Sequence, residues 1–414
     1  MFNVAGIRRC TSGQGTTSAD TDMALEMKVL FTGPPILMAY YFNFLALPIG
    51  YQPVKDLFKR RVSLYCLSHR TQCAYLVDFD DRLDQYDTKK HPLLHDSQKA
   101  FAKRLYVVPL EVFYRLSDGV DISSRRIVWM NHHGRCGSTV WSQIFNDLPE
   151  WGVVSETHYL INTMIFDFRE RDIHVLVSSP DFIRMAVAGF KYYVGTFPSN
   201  YSVFIKTNLH ELWLLQCVPQ ALPNVKLLYM YRNVAATAQS WYSAISDTYH
   251  STEMEEIFTR TKNISVYGDE YLVRFCMQKF TSSDPTALEL AEEVGMRDQY
   301  EWYVMTWSAI NQRVQRLLGN GMNMKCIKYE DMTSDMRSVI HSVFKHLKID
   351  DELVPIAVSA TKRNSQAGHS YTKRDKKDTT WRGDKIAVDR CNQILRHFGF
   401  GSLNSRFYLP NTLE

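Results

Sequence analysis

No charge of one sign dominates this chain: 48 Lys and Arg face 44 Asp and Glu, a formal net charge of +4 over 414 residues. With no nucleic-acid-binding motif beside it, that mild excess predicts no nucleic-acid partner. The eight cysteines (Cys10, Cys66, Cys73, Cys136, Cys217, Cys276, Cys326 and Cys391) form no CxxC pair and no zinc-finger spacing. Cys217 and Cys326 stand in apolar surroundings and read as core. There is no internal repeat. The first 23 residues are polar, rich in Ser, Thr and Gly, and lack a secretory core. One apolar stretch, Val29–Tyr51, has membrane-spanning length. Gly33-Pro34-Pro35, Asn43 and Pro48 interrupt it, and its flanks (Lys28, then Lys55 to Arg61) assign no orientation. It stands as a candidate membrane-associated segment, with buried or interfacial packing as the alternative.

What is present is ordinary for a globular protein: 45% hydrophobic and 22% charged residues. The length suits one large α/β domain plus an extension. The expected organisation is an N-terminal extension over residues 1–122, partly disordered, followed by a domain over 123–414. From Arg125 the pattern alternates strand and helix, with strands near 126–130, 152–155, 202–206, 225–231 and 324–329 and a long helix near 298–318. Residues 94–113 have mixed helical character, and 253–297 are mostly helical. Apolar strands with helical crossovers predict a mainly parallel sheet buried on both faces.

The most informative segment is Arg125–Leu148, RRIVWMNHHGRCGSTVWSQIFNDL. A short apolar run (Ile127–Met130) reads as a buried strand. It breaks into the turn Gly134-Arg135-Cys136-Gly137-Ser138-Thr139, and a helical stripe follows at Val140, Ile144 and Leu148. Strand, glycine turn, helix builds an anion cradle. The glycines permit tight backbone angles, and the helix N-terminus directs N–H groups and a positive dipole to one point. Arg135 adds a full charge; Ser138 and Thr139 add hydroxyls. The turn departs from the GxxxxGK[ST] loop of kinases and ATPases: Ser138 follows Gly137 where Lys is required, and His132 stands five residues before it where Gly is required.

A second unit lies at residues 223–243, PNVKLLYMYRNVAATAQSWYS. Val225–Tyr231 reads as a buried strand after a Pro-Asn turn. Arg232 stands at its carboxyl end, where ligands sit in open α/β sheets, and Ser240 follows on a helix. Arg offers a forked, charge-assisted donor suited to phosphate.

The Arg135–Thr139 pattern, [RK]-x-G-[ST]-T, resembles the phosphosulfate loop of the sulfotransferases, which use 3′-phosphoadenosine 5′-phosphosulfate (PAPS). The strand–Arg232–helix–Ser240 unit resembles the one that grips the 3′-phosphate of PAPS in that family. Gly152–Leu160, Ser202–Asn208 and Met324–Met332 resemble further family strands, and Asn364–Gly368, in the basic run Lys362–Lys377, resembles the loop that closes over PAPS. The resemblance covers about Arg125 to Arg382 and is nearest to the carbohydrate-type group. It implies a three-layer P-loop NTPase-like α/β fold and sulfuryl transfer from PAPS to a hydroxyl or amine, with a carbohydrate as the expected acceptor. The implied donor-binding residues are Arg135, Cys136, Gly137, Ser138, Thr139, Arg232 and Ser240.

Sulfuryl transfer follows the physics of phosphoryl transfer, in which positioning and charge stabilisation do most of the work. Lys206, ending a strand, is the candidate to stabilise the bridging oxygen. Glu156 is the candidate base, from its likeness to the Glu of a Glu-x-His segment, with His158 as runner-up. The resemblance implies that no metal is needed, and the adjacent His132 and His133, with no carboxylate nearby in sequence, do not suit a shared ion. Two other readings stay open: a P-loop nucleotide kinase or NTPase, and a non-catalytic binding protein of the same fold. The compartment is open between the Golgi membrane and the cytoplasm. Asn200-Tyr201-Ser202 and Asn263-Ile264-Ser265 are glycosylation sequons that matter only in the secretory pathway. The oligomeric state is not legible.

Overall fold

The structure is a computed structural model that describes residues 22–32, 43–79, 84–160, 173–207, 209–245, 286–296, 299–365 and 380–413. The sequon at Asn263, residues 366–377 of the basic run and most of 253–297 lie outside the described residues. The chain divides into two compact units: Met1–Trp129 with Ser142–Lys226, and Met130–Trp141 with Leu227–Glu414.

The first unit contains a sheet that no motif announced. Strands β1 (Met23–Thr32), β2 (Phe44–Pro53), β3 (Ser63–Ser68), β4 (Cys73–Asp78) and β5 (Arg104–Pro109) run in the order β2-β1-β5-β4-β3. Every pairing is antiparallel. β3 and β4 are buried along their whole length. Tyr65, Cys66, Val77, Leu105 and Val107 share a core with Met27 and Phe44.

Two expectations change here. The apolar segment 29–51 contributes to two antiparallel strands, and no helix among the described residues is long and apolar enough to cross a membrane. The reason is local. Prolines deny a helix its backbone donors, whereas β2 pairs with β1 through a register shift between Gly50 and Pro48 and leaves Leu45, Leu47, Ile49 and Tyr51 exposed. Residues 33–42 lie outside the described residues. The region 94–113 also differs: helix Leu94–Phe101 ends before β5, and a second helix starts only at Leu110. The run RLYVVP is β-branched and aromatic, and it pairs with β1 and β4 on its two sides.

The second sheet has the expected strands: β6 (Ile127–His132), β7 (Trp151–Thr157), β8 (Ser202–Thr207), β9 (Lys226–Tyr231) and β10 (Met324–Lys328), in the order β10-β9-β6-β8-β7. β10 runs parallel to β9, and β7 parallel to β8. β6 and β7 are buried throughout, as strands covered on both faces must be. Helix Ser138–Asp147 follows β6 and buries Trp141, Ile144 and Phe145, with Leu148 just beyond it. The buried stripe therefore runs through Trp141 and Phe145 rather than Val140. In the second unit, helices Val234–Ile245 and Gln299–Gly319 share a core with Lys385–His397 that includes Tyr300, Tyr303, Trp307 and Ile394. Cys217 and Cys326 are buried, and burial pushes their thiols up to about 11 and about 12.

Candidate active site

The second unit carries the anion turn. β6 ends at His132, and the chain turns through three left-handed residues, Gly134 (φ 81°), Arg135 (φ 51°) and Gly137 (φ 84°), before entering helix Ser138–Asp147. Gly134 and Gly137 adopt these angles without steric cost; Arg135 does not, and strain of this kind concentrates at functional sites. At Gly137 a Cβ would lie 2.8 Å from Tyr329 Cδ2 and Cε2, so only glycine allows the turn to pack on that ring. Cys136 is fully buried. Ser138 and Thr139 open the helix, nearly buried at 4% and 9% exposure.

Tyr329 begins where β10 ends, and the guanidinium of Arg232, just past β9, lies over its ring at 4.4 Å. Because β9 and β10 are parallel, Arg232 and Tyr329 leave the sheet at the same edge. Arg232 Nη1 donates to the Arg135 carbonyl at 3.4 Å, and Arg135 Nε donates to Ser240 Oγ at 3.0 Å. The three phosphate-directed side chains read from sequence thus form one cluster within this unit. The family resemblance implies that Arg135 and Ser240 serve opposite ends of a nucleotide; in the structure the two side chains are hydrogen-bonded to each other.

Arg232 is also held through its backbone. Its N–H donates to His133 Nε2 at 2.8 Å, and its carbonyl accepts from Trp307 Nε1 at 2.8 Å. Asn233 N–H donates to Glu330 Oε1 at 2.9 Å. His133, His132, Trp307, Tyr329 and Glu330 were not read as site residues, since their role rests on contacts far along the chain. Both imidazoles of the His132-His133 pair bond the turn. Among the described residues no group of three or more His, Cys, Asp or Glu could hold an ion.

The residues present fit an anion with more than one charged group. Arg232 Nε is buried and has no hydrogen-bond partner within the described residues. An anionic oxygen is one group that would complete such a nitrogen. Two arginines, a hydroxyl and a left-handed turn at a helix N-terminus form the donor set that phosphate recruits.

The first unit carries the other candidates. β7 and β8 pair in register up to Ser155 opposite Lys206; the next pair is Thr157 with Thr207. Glu156 is the extra residue, a β-bulge, at φ 61°. Bulges re-aim side chains, and this one sets Glu156 Oε1 2.7 Å from Lys206 Nζ. The Lys206 side chain is fully buried and that of Glu156 is 10% exposed, so each charge has its counter-charge at hand. His158 is buried, with its ring stacked on His95 at 3.7 Å and 14°. His95 Nδ1 lies 3.2 Å from the Glu156 carbonyl oxygen, and its Nε2 3.0 Å from Asp96 Oδ1. His95 comes from the N-terminal segment and had no sequence signal.

The sulfotransferase domain family model matches residues 133–387, more than half of the 414 residues. The chain belongs to the sulfotransferase domain family. It is also similar to three solved structures. One is a sulfotransferase from Alicyclobacillus acidocaldarius, at 13% identity and TM-score 0.36, covering 67% of this chain and 92% of that one. A second is sulfotransferase STF1 from Mycobacterium tuberculosis H37Rv, at 12% identity and TM-score 0.35, covering 61% and 77%. A third is mouse sulfotransferase SULT7A1 complexed with PAP, at 14% identity and TM-score 0.33, covering 69% and 87%. No curated protein matches the sequence.

Proposed function

We propose that this sulfotransferase takes its sulfuryl group from PAPS and delivers it to a hydroxyl or amine of a carbohydrate. The observation that carries the donor assignment is the Arg135–Ser240–Arg232 cluster with the buried, unpartnered Arg232 Nε. A nucleoside triphosphate has no 3′-phosphate to complete it, and Ser138 stands where a triphosphate loop needs lysine. The carbohydrate acceptor rests on the resemblance of the Ser155–Tyr159 segment to the carbohydrate-type group.

PAPS supplies an activated sulfuryl group and leaves as 3′-phosphoadenosine 5′-phosphate (PAP). Arg232 and Ser240 bind the 3′-phosphate. The N–H groups of Cys136, Gly137, Ser138 and Thr139 bind the 5′-phosphosulfate with Arg135, whose bond to Ser240 links the two ends. Lys206 offers its ammonium to the negative charge that grows on the leaving oxygen. Glu156 accepts the proton of the acceptor hydroxyl or amine, and its bulge holds the carboxylate in place for that step. His158 is the alternative base.

The direct test is sulfur-labelled PAPS with a panel of oligosaccharides, small alcohols and amines. Label in a saccharide supports the full reading. Label only in a small alcohol or amine overturns the carbohydrate assignment and keeps the donor. Magnesium-dependent transfer from ATP, with none from PAPS, overturns both. A chain that binds PAP without transfer to any acceptor points to a non-catalytic binding protein.

A further inference from the structure

His133 is buried, and its two ring nitrogens contact different parts of the site. Nδ1 lies 2.8 Å from the Gly134 carbonyl oxygen, and Nε2 lies 2.8 Å from the Arg232 backbone nitrogen. A carbonyl only accepts and an N–H only donates. One protonation state satisfies both: Nδ1–H donates to Gly134, and bare Nε2 accepts from Arg232. His133 is therefore a neutral bridge with a fixed tautomer. The N–H of the same residue is held as well: His132 Nδ1 accepts from Gly134 N–H at 3.0 Å. The Arg232 carbonyl is meanwhile held by Trp307 Nε1 at 2.8 Å. Gly134 and Arg232 are each held at both backbone groups, N–H and carbonyl, and His133 bonds one group of each.

We propose that His133 is a positioning residue that couples the anion turn to Arg232, setting their separation so that the site prefers a nucleotide carrying both a 5′- and a 3′-phosphate. This rests on the donor assignment given above. An imidazole suits the task because it is rigid and places a donor and an acceptor on opposite sides of one small ring. Protonation would replace the acceptor by a second donor facing Arg232 N–H. Burial, with His132 and the Arg232 guanidinium close by, opposes that and pushes His133 down to about 3.

The test compares PAP with adenosine 5′-monophosphate, which differ only by the 3′-phosphate, using calorimetry on the wild-type chain and three variants. His133→Gln places an amide oxygen near the Nε2 position and keeps an acceptor for Arg232. His133→Asn places its amide near Nδ1 and loses that acceptor; His133→Phe loses both contacts. The wild type should prefer PAP strongly. That preference should fall by roughly tenfold or more in the Asn and Phe variants, the range of one charge-assisted phosphate contact, and be largely retained in Gln. His133→Asn carries the reading if His133→Phe does not fold. A packing role alone would weaken both ligands equally and leave the ratio unchanged. Wild-type preference retained in His133→Asn overturns the bridge. Absence of any preference in the wild type overturns the donor assignment instead.

Discussion

The Lys206 ammonium lies 2.7 Å from Oε1 of Glu156, the residue at which the register with the strand carrying Lys206 shifts. Regular pairing would alternate the Glu156 side chain to the opposite face from Ser155. The bulge changes that direction at the cost of a left-handed angle on a non-glycine residue. Both charges are buried together, so each singly substituted protein retains a buried charge without its partner.

This coupling defines the first expected outcome. Glu156→Gln should keep PAP binding and lose roughly 10²–10⁴ in turnover, because Gln cannot accept a proton. It should also be destabilised, as should Lys206→Met, by about 3–5 kcal/mol each if the pair behaves as a buried ion pair. The double variant should recover much of that stability and none of the rate. Urea unfolding and labelled-PAPS assays measure the two effects separately. Full rate in Glu156→Gln with loss in His158→Ala would transfer the base role to the histidine.

Arg232→Ala should fold and bind PAP about 10- to 150-fold more weakly, corresponding to about 1.5–3 kcal/mol for a charge-assisted phosphate contact. Calorimetry at constant salt reads it. An unchanged dissociation constant would remove Arg232 from the 3′-phosphate site.

Gly137→Ala should damage both fold and binding. At φ 84° a side chain costs roughly 1–2 kcal/mol in backbone strain alone. The new Cβ would also meet the Tyr329 ring at 2.8 Å, the ring over which Arg232 lies. A lower melting temperature together with weaker PAP binding is expected. Unchanged values for both would contradict the packing of the turn on Tyr329.

His133 makes stability depend on pH in a defined direction. Its folded value is about 3, against an ordinary 6.5, so between those limits the unfolded chain holds a proton that the folded chain does not. Stability therefore falls as pH drops below about 6.5, by up to about 1.4 kcal/mol per pH unit from this group. Burial lowers His91 in the same sense. Unfolding free energies at pH 7, 6 and 5 should show a shallower slope in His133→Gln than in the wild type; equal slopes would contradict the buried neutral imidazole.

The turn and the Arg232–Ser240 unit were legible because each is local: glycine spacing, an apolar run and a residue at its carboxyl end suffice. The five strands of the second sheet were legible for the same reason, being short apolar runs between helices. The N-terminal sheet was not, because β1 mixes apolar residues with charges, β2 exposes apolar residues and carries two prolines, and the pairing of β1 with β2 and β5 leaves no motif. The Glu156 bulge depends on register against β8, which one strand's sequence does not contain. His133 contacts a residue 99 positions away, and Arg135 one 105 positions away, so neither partner could be read from its neighbours.

The central claim is that the site reads a 3′-phosphate. Its most direct test is the melting temperature of the wild-type chain titrated with PAP, with adenosine 5′-monophosphate and with ATP-magnesium, since a ligand bound only by the folded state raises that temperature by mass action. The account expects PAP to stabilise the chain most, and Arg232→Ala to remove most of the difference between PAP and the monophosphate. Equal or greater stabilisation by ATP-magnesium, with no advantage for PAP, would contradict it.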